Sequence, residues 1–175
     1  EGNRRVHRVA ALLELAQAQL MRSRPGVSRI TPAGDLRRGC ELIGDLSLVA
    51  QVSDVHGAVC IQENQSQLAL HLTDKQHYGA ALLLATGSEE HLKELREIAA
   101  ARGMTLDKEG LRKGDTIIAS KSEEEIYRAL GLQFIEPELR EARGEITLAQ
   151  EGKLPTLVID ADLRGILHAH TDRSD

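Results

Sequence analysis

The sequence predicts an α+β fold, and three observations carry that prediction. Residues 4–22 place apolar side chains at helical spacing, and residues 46–52 and 67–73 alternate apolar and polar side chains as strands do. Residues 88–102 then return to the helical period ahead of a hairpin-like segment. The chain has 175 residues and 41% hydrophobic content, enough for one good core or two small ones.

Val6, Val9, Leu12, Leu13, Ala16 and Leu20 recur at spacings of three and four, the stripe of an amphipathic helix that Pro25 and Gly26 end. Val27 to Pro32 is a short strand candidate, and a loop from Gly34 to Gly39 follows. A second strand, Leu46 to Val52, sets Leu46 and Leu48 on one face and Asp45 and Ser47 on the other. The polar pair is expected side by side on one surface. In a third strand Leu68, Leu70 and Leu72 alternate with Gln67, Ala69, His71 and Thr73, whose face is expected to lie beside that of Asp45.

Gly87 and Ser88 open a helix to about Arg102, with Ser88 as N-cap, Glu89 and Glu90 in the first turn, and Leu92, Leu95 and Ile98 buried. Residues 105–120 read as a hairpin turning at Gly114-Asp115. Ser122 and Glu125 make a capping box for a helix through Leu130. Pro137 and the charged run 138–145 read as a connector. Leu157 to His170 is a strand-like run closing in His168-Ala169-His170, with Asp175 five residues on.

Composition narrows the function classes. The aromatic residues are Phe134, Tyr78 and Tyr127, with no Trp, so stacking platforms for bases are scarce. Single-strand binding by aromatic stacking is therefore not expected. The net charge of −5 hides an asymmetry, because residues 1–40 hold eight Arg against three acids. An anionic partner is expected at the N-terminal end, with a solvated basic helix face as the alternative. Cys40 and Cys60 match no metal or redox spacing and fit a reducing compartment. With no apolar run of membrane length and no signal peptide, the sequence reads as cytoplasmic, with no membrane partner.

The motif with the most chemistry is Gly34-Asp35-Leu36-Arg37-Arg38-Gly39 followed by Gly44-Asp45-Leu46-Ser47. A glycine beside two arginines suits close approach to phosphate, and a carboxylate opening a strand suits a hard cation. The stretch TPAGDLRRGCELIGDLSLVA (31–50) resembles the palm motif of the bacterial family X DNA polymerases, relatives of DNA polymerase beta that carry a C-terminal PHP phosphoesterase domain. HYGAALLLATGSEEHLKELREIAAARGMTLDKEGL (77–111) resembles their nucleotide-sugar turn and the start of the thumb. SEEEIYRALGLQFIEPELREARGEI (122–146) resembles the end of the thumb. LRGILHAHTDRSD (163–175) resembles the opening strand of the PHP domain.

The resemblance implies a nucleotidyltransferase-like palm, a small mixed sheet with helices, over residues 1–76. It implies a small α/β thumb over 77–146, then a linker and a tail strand opening a PHP domain over 147–175. It further implies that the chain is a piece of a longer protein, with part of the palm missing between Asp45 and Ala69.

In the family, three aspartates hold two metal ions about 4 Å apart for phosphoryl transfer from a deoxynucleoside triphosphate. Asp45 matches the first, Ser47 stands at the second and Ala69 at the third. A serine hydroxyl is a weak neutral ligand and alanine offers none, so Mg or Mn at the palm is expected to be weakly held. Asp35 stands where the family has a triphosphate-binding serine.

Gly34, Arg37, Arg38, Gly44, Thr86 and Gly87 are the implied nucleotide- and phosphate-binding residues. Arg96 matches a DNA-binding arginine, and Leu92 stands where an asparagine meets the nucleotide. Arg37 and Arg38 have an alternative as partners of Asp35 and Glu41, and Thr86-Gly87-Ser88 as a plain turn and helix cap. His168, His170 and Asp175 are the implied Zn or Mn ligands of the PHP site in the full-length protein. The expected partners are gapped or primer-template DNA and deoxynucleoside triphosphate. The expected function is DNA repair by gap-filling nucleotidyl transfer, weakened or lost here. The alternative is a scaffold presenting 3′ ends to a PHP exonuclease.

Overall fold

A computed structural model describes residues 4–23, 26–53, 59–63 and 66–165, with side chains placed from residue 13 onward except at 23, 59–67 and 160. His168, His170 and Asp175 lie outside the described residues. The elements run β1 (Arg4–Arg5), α1 (Val6–Ser23), β2 (Val27–Ala33), a one-turn α2 (Gly34–Arg37), β3 (Leu42–Ile43), β4 (Leu46–Val52), β5 (Val59–Glu63) and β6 (Ser66–Thr73). They continue with α3 (Tyr78–Thr86), α4 (Glu89–Ala101), β7 (Thr105–Asp107), β8 (Gly110–Lys113), β9 (Thr116–Ala119), α5 (Glu123–Ala129) and α6 (Glu145–Glu151). The fold is α+β, with one small mixed sheet, a three-stranded antiparallel sheet and a two-stranded antiparallel β1–β3 pair among the described residues.

The mixed sheet has the order β2-β4-β6-β5, with β2 antiparallel to β4, β4 parallel to β6 and β5 antiparallel to β6. One face of β4 and β6, through Leu46, Leu48, Ala50, Leu68 and Leu70, packs on Leu13 and Leu20 of α1. The opposite face is covered too, since Val49 and Ala33 pack against Tyr78 and Leu82 of α3. Ser47 therefore lies buried at 2% exposure, while Asp45 at the strand's mouth stays exposed. Ser47 and Asp45 stand side by side as expected, joined by a hydrogen bond, but the sheet face that carries Ser47 is covered by α3, a helix that the sequence pattern did not reveal. Tyr78–Thr86 is apolar all round, so no stripe marks it out.

A second core gathers Leu83, Leu95, Leu111, Ile126, Tyr127, Leu130 and Ile135. Because α3 contributes to the cores on both of its sides, it joins them as one packed body. Gly79 is needed at that joint, since a Cβ there would stand 2.3 Å from the Ser122 backbone. Ser88 and Ser122 cap α4 and α5 by accepting from the His91 and Glu125 backbone amides.

The 105–120 segment is a three-stranded meander rather than a single hairpin, because β7 and β8 close a further turn at Lys108-Glu109. The expected connector ends in α6, whose Ile146 and Ala149 enter the second core. The expected tail strand from Leu157 is not formed over the described residues. A 3-10 turn at Asp160–Asp162 stands there, with Val158, Ile159 and Leu163 exposed and no neighbouring strand to pair with.

Candidate functional site

The site forms where the loop between β2 and β4 meets the second core. Gly34 adopts φ +62, and a Cβ there would come within 2.9 Å of the Asp45 carboxylate, so only glycine lets the two segments close. The Asp35 carboxylate lies across the turn. Its Oδ2 accepts the backbone N–H groups of Gly44 at 2.6 Å and Asp45 at 2.8 Å, and its Oδ1 accepts from Arg38 Nη2.

Arg37 and Arg38 both reach Thr86 and acids from beyond α4. Arg37 makes a bidentate fork to Glu123, Nη1 to Oε1 at 2.8 Å and Nη2 to Oε2 at 2.6 Å, and Nη1 also donates to Thr86 Oγ1 at 2.9 Å. Glu123 is shared with Arg140, whose Nη1 donates to Oε1 at 2.5 Å and whose Nε donates to the Ile135 carbonyl at 3.0 Å. Arg140 is fully buried, its guanidinium 5.3 Å from the Tyr127 ring and 5.4 Å from the Phe134 ring. Such a cation sits there only because a carboxylate and aromatic faces replace water. Burial disfavours the Glu123 carboxylate, but the Arg37 hydrogen bond and the Arg140 charge outweigh it and hold its pKa below the usual value.

Arg38 donates from Nε to Glu141 Oε1 at 2.5 Å and from Nη1 to the Thr86 carbonyl at 2.7 Å. Burial works against its charge, yet Glu141 and Asp35 hold its pKa above the ordinary arginine value. The two arginines thus meet Asp35, Glu123 and Glu141, whereas Glu41 is exposed. Sequence reasoning assigned no role to Glu123, Arg140 or Glu141. No local signal marked them, because an acid in the first turn of a capped helix is ordinarily exposed, and the burial of Glu123 comes only with the fold.

Deeper in, His91 is fully buried, with Nδ1 2.6 Å from Glu145 Oε1 and Nε2 2.9 Å from the Tyr127 hydroxyl. Burial lowers the His91 pKa and outweighs the Glu145 carboxylate, so the ring is neutral, donating from Nδ1 and accepting from Tyr127 at Nε2.

At the mouth of β4, the Ser47 hydroxyl donates to Asp45 Oδ1 at 2.7 Å. Ser47 is register partner to Ala69 across the parallel β4–β6 pair, so the three positions of interest stand on adjoining strands. Among the described residues, no group of three His, Cys, Asp or Glu is placed to hold a metal ion. Thr86 is fully buried and ends α3, with Gly87 packed against Leu92. Leu92 belongs to the second core, and Arg96 is exposed on α4.

Residues 81–141, which span α3 to the Arg140–Glu141 corner, match a family model described as DNA polymerase beta thumb. The chain is related to the family X DNA polymerases. It is 25% identical over 174 residues to DNA polymerase/3'-5' exonuclease PolX of Bacillus subtilis, covering 85% of this chain and 30% of the relative. It is also 34% identical over 67 residues to DNA polymerase IV of Saccharomyces cerevisiae, covering 38% of this chain and 12% of the relative. Glu123, Arg140 and Glu141 lie within the thumb-matching stretch, and the loop of Arg37 and Arg38 lies before it. No helix among the described residues is long and apolar enough to cross a membrane.

Proposed function

We propose that this chain is a palm-and-thumb part of a cytoplasmic DNA-repair polymerase, that it binds gapped or primer-template DNA, and that its nucleotidyl-transfer chemistry is weak or lost. The observation that carries the second half is the pairing of Ser47 with Ala69 beside Asp45. A two-metal transfer needs bridging carboxylates on these adjoining strands, and Asp45 meets a serine hydroxyl there instead. Among the described residues three carboxylate donors do not converge, so two divalent cations do not fit the residues present, and no step is routed through them. Palm Mg or Mn, and deoxynucleoside triphosphate at Gly34, Arg37, Arg38, Gly44, Thr86 and Gly87, are weakly held at most.

DNA binding is supported by the relatives, both named as DNA polymerases, and by exposed Arg96 on α4. Contacts of this kind are sequence-independent and release counterions. The test is gapped-duplex affinity against salt. Binding that falls steeply with rising salt is expected, and no binding at about 50 mM salt, where such contacts operate, would contradict it.

A second reading takes support from the Bacillus subtilis relative, whose name joins a polymerase to a 3'-5' exonuclease. On this reading the palm and thumb present 3′ ends to a PHP exonuclease whose Zn or Mn ligands begin with His168, His170 and Asp175. Replacing both histidines in the full protein is then expected to abolish metal-dependent 3′ trimming with DNA binding intact. Retained trimming would remove them from the mechanism.

A further inference from the structure

We propose that Asp35 is the built-in occupant of an anion cradle, so that the chain itself fills the position a phosphate group would take. The inference rests on reading residues 34–45 as the phosphate-facing surface, and it names how that surface is regulated. Two consecutive backbone N–H groups, of Gly44 and Asp45, converge on one oxygen of Asp35, and an arginine donates to the other. Adjacent main-chain amides joined by a guanidinium form the donor set that recognises a tetrahedral oxyanion.

The occupant is held firmly. The Asp35 backbone is tied at both ends, its N–H to the Asp45 carbonyl at 3.3 Å and its carbonyl to the Cys40 N–H at 3.0 Å. Its side chain therefore competes without the translational and rotational cost that an external anion bears. Arg38 Nη1 and Nε are engaged as well, by the Thr86 carbonyl and Glu141. Arg38 also lines a neighbouring cleft of about 610 Å³ with Gly39, Cys40, Glu141 and Arg143, which gives the guanidinium side of the cradle an open approach. An incoming polyphosphate meets a filled cradle and an added negative charge.

The probe is inorganic tripolyphosphate, titrated without divalent metal into the wild-type protein and into the Asp35→Ser, Asp35→Asn and Asp35→Ser/Arg38→Gln variants. Calorimetry reads affinity, and the Gly44 and Asp45 amide resonances report the site. Wild type is expected to leave those resonances in place. Asp35→Ser is expected to move them and to bind about tenfold or more tightly, the scale of removing one charge-assisted competitor. Arg38→Gln in the same background is expected to cancel the gain.

Asp35→Asn keeps an acceptor for the two amides but removes the charge, so it covers the case in which the serine variant does not fold. Wild type that moves the same amides with comparable affinity would overturn the proposal, as would folded Asp35→Ser or Asp35→Asn with no gain. Gapped-duplex binding by the same proteins separates this inference from the reading beneath it. A tripolyphosphate gain without duplex binding upholds the cradle while counting against the DNA-binding role, and duplex binding without the gain does the reverse.

Discussion

Glu123 shows how much of the site one residue organises. It accepts from Arg37 and from the fully buried Arg140, and its own side chain is 4% exposed. Glu123→Ala leaves Arg140 as an uncompensated buried cation, and a loss of about 3–5 kcal/mol in denaturant unfolding is expected.

His91 gives a pH signature. Its folded pKa lies below the 6.5 of the free side chain, so the unfolded state takes up the proton first. Stability is therefore intact above pH 6.5 and falls as pH drops toward the folded value. Glu123 adds a later loss, below its ordinary 4.5, as pH falls through its own depressed value. Denaturant midpoints across this range should show a shallower first decline in His91→Gln. An unchanged profile would place the early loss elsewhere. None of this was legible in sequence, because a buried His, Arg or Glu is recognised by partners that lie 17 to 86 positions away.

At the scale of elements, legibility followed periodicity and caps. Ser88 and Ser122 read correctly as N-caps because cap chemistry is local, and Leu46 to Val52 read as a strand because its alternation is local too. α3 and α6 were missed for physical reasons. α3 is buried on several sides and has no polar face, and α6 starts after Gly144 in a left-handed conformation without a side-chain cap.

Two substitutions separate these effects. Ser122→Ala removes one cap hydrogen bond and is expected to cost about 1 kcal/mol. Gly79→Ala drives a Cβ toward the Ser122 backbone at the shared helix and is expected to cost at least about 1–3 kcal/mol. Thermal denaturation of both variants tests that order, which reverses if the joint has slack.

Across the whole molecule, the mixed-sheet core and the second core are joined by α3, by the Arg37 fork to Glu123 and by the single Arg38–Glu141 bond. The sequence singled out the arginine pair and the Asp45, Ser47 and Ala69 positions, and offered the arginines either phosphate or Asp35 and Glu41; Arg38 does pair with Asp35. Their thumb partners come from a segment about 90 to 100 residues further on, and only the fold brings these segments together.

The consequence for DNA is specific. Arg96→Gln is expected to weaken gapped-duplex binding and reduce the salt slope by about 1. Arg37→Gln is expected to lower stability with little change in slope. The most direct test of the central claim is single-nucleotide incorporation into a gapped duplex with magnesium, comparing the intact protein with its Asp45→Ala variant. The expected result is little or no incorporation by either protein while both bind the duplex. Robust incorporation by the intact protein that disappears in Asp45→Ala would contradict the claim, because it would show a working metal site where the carboxylates do not converge.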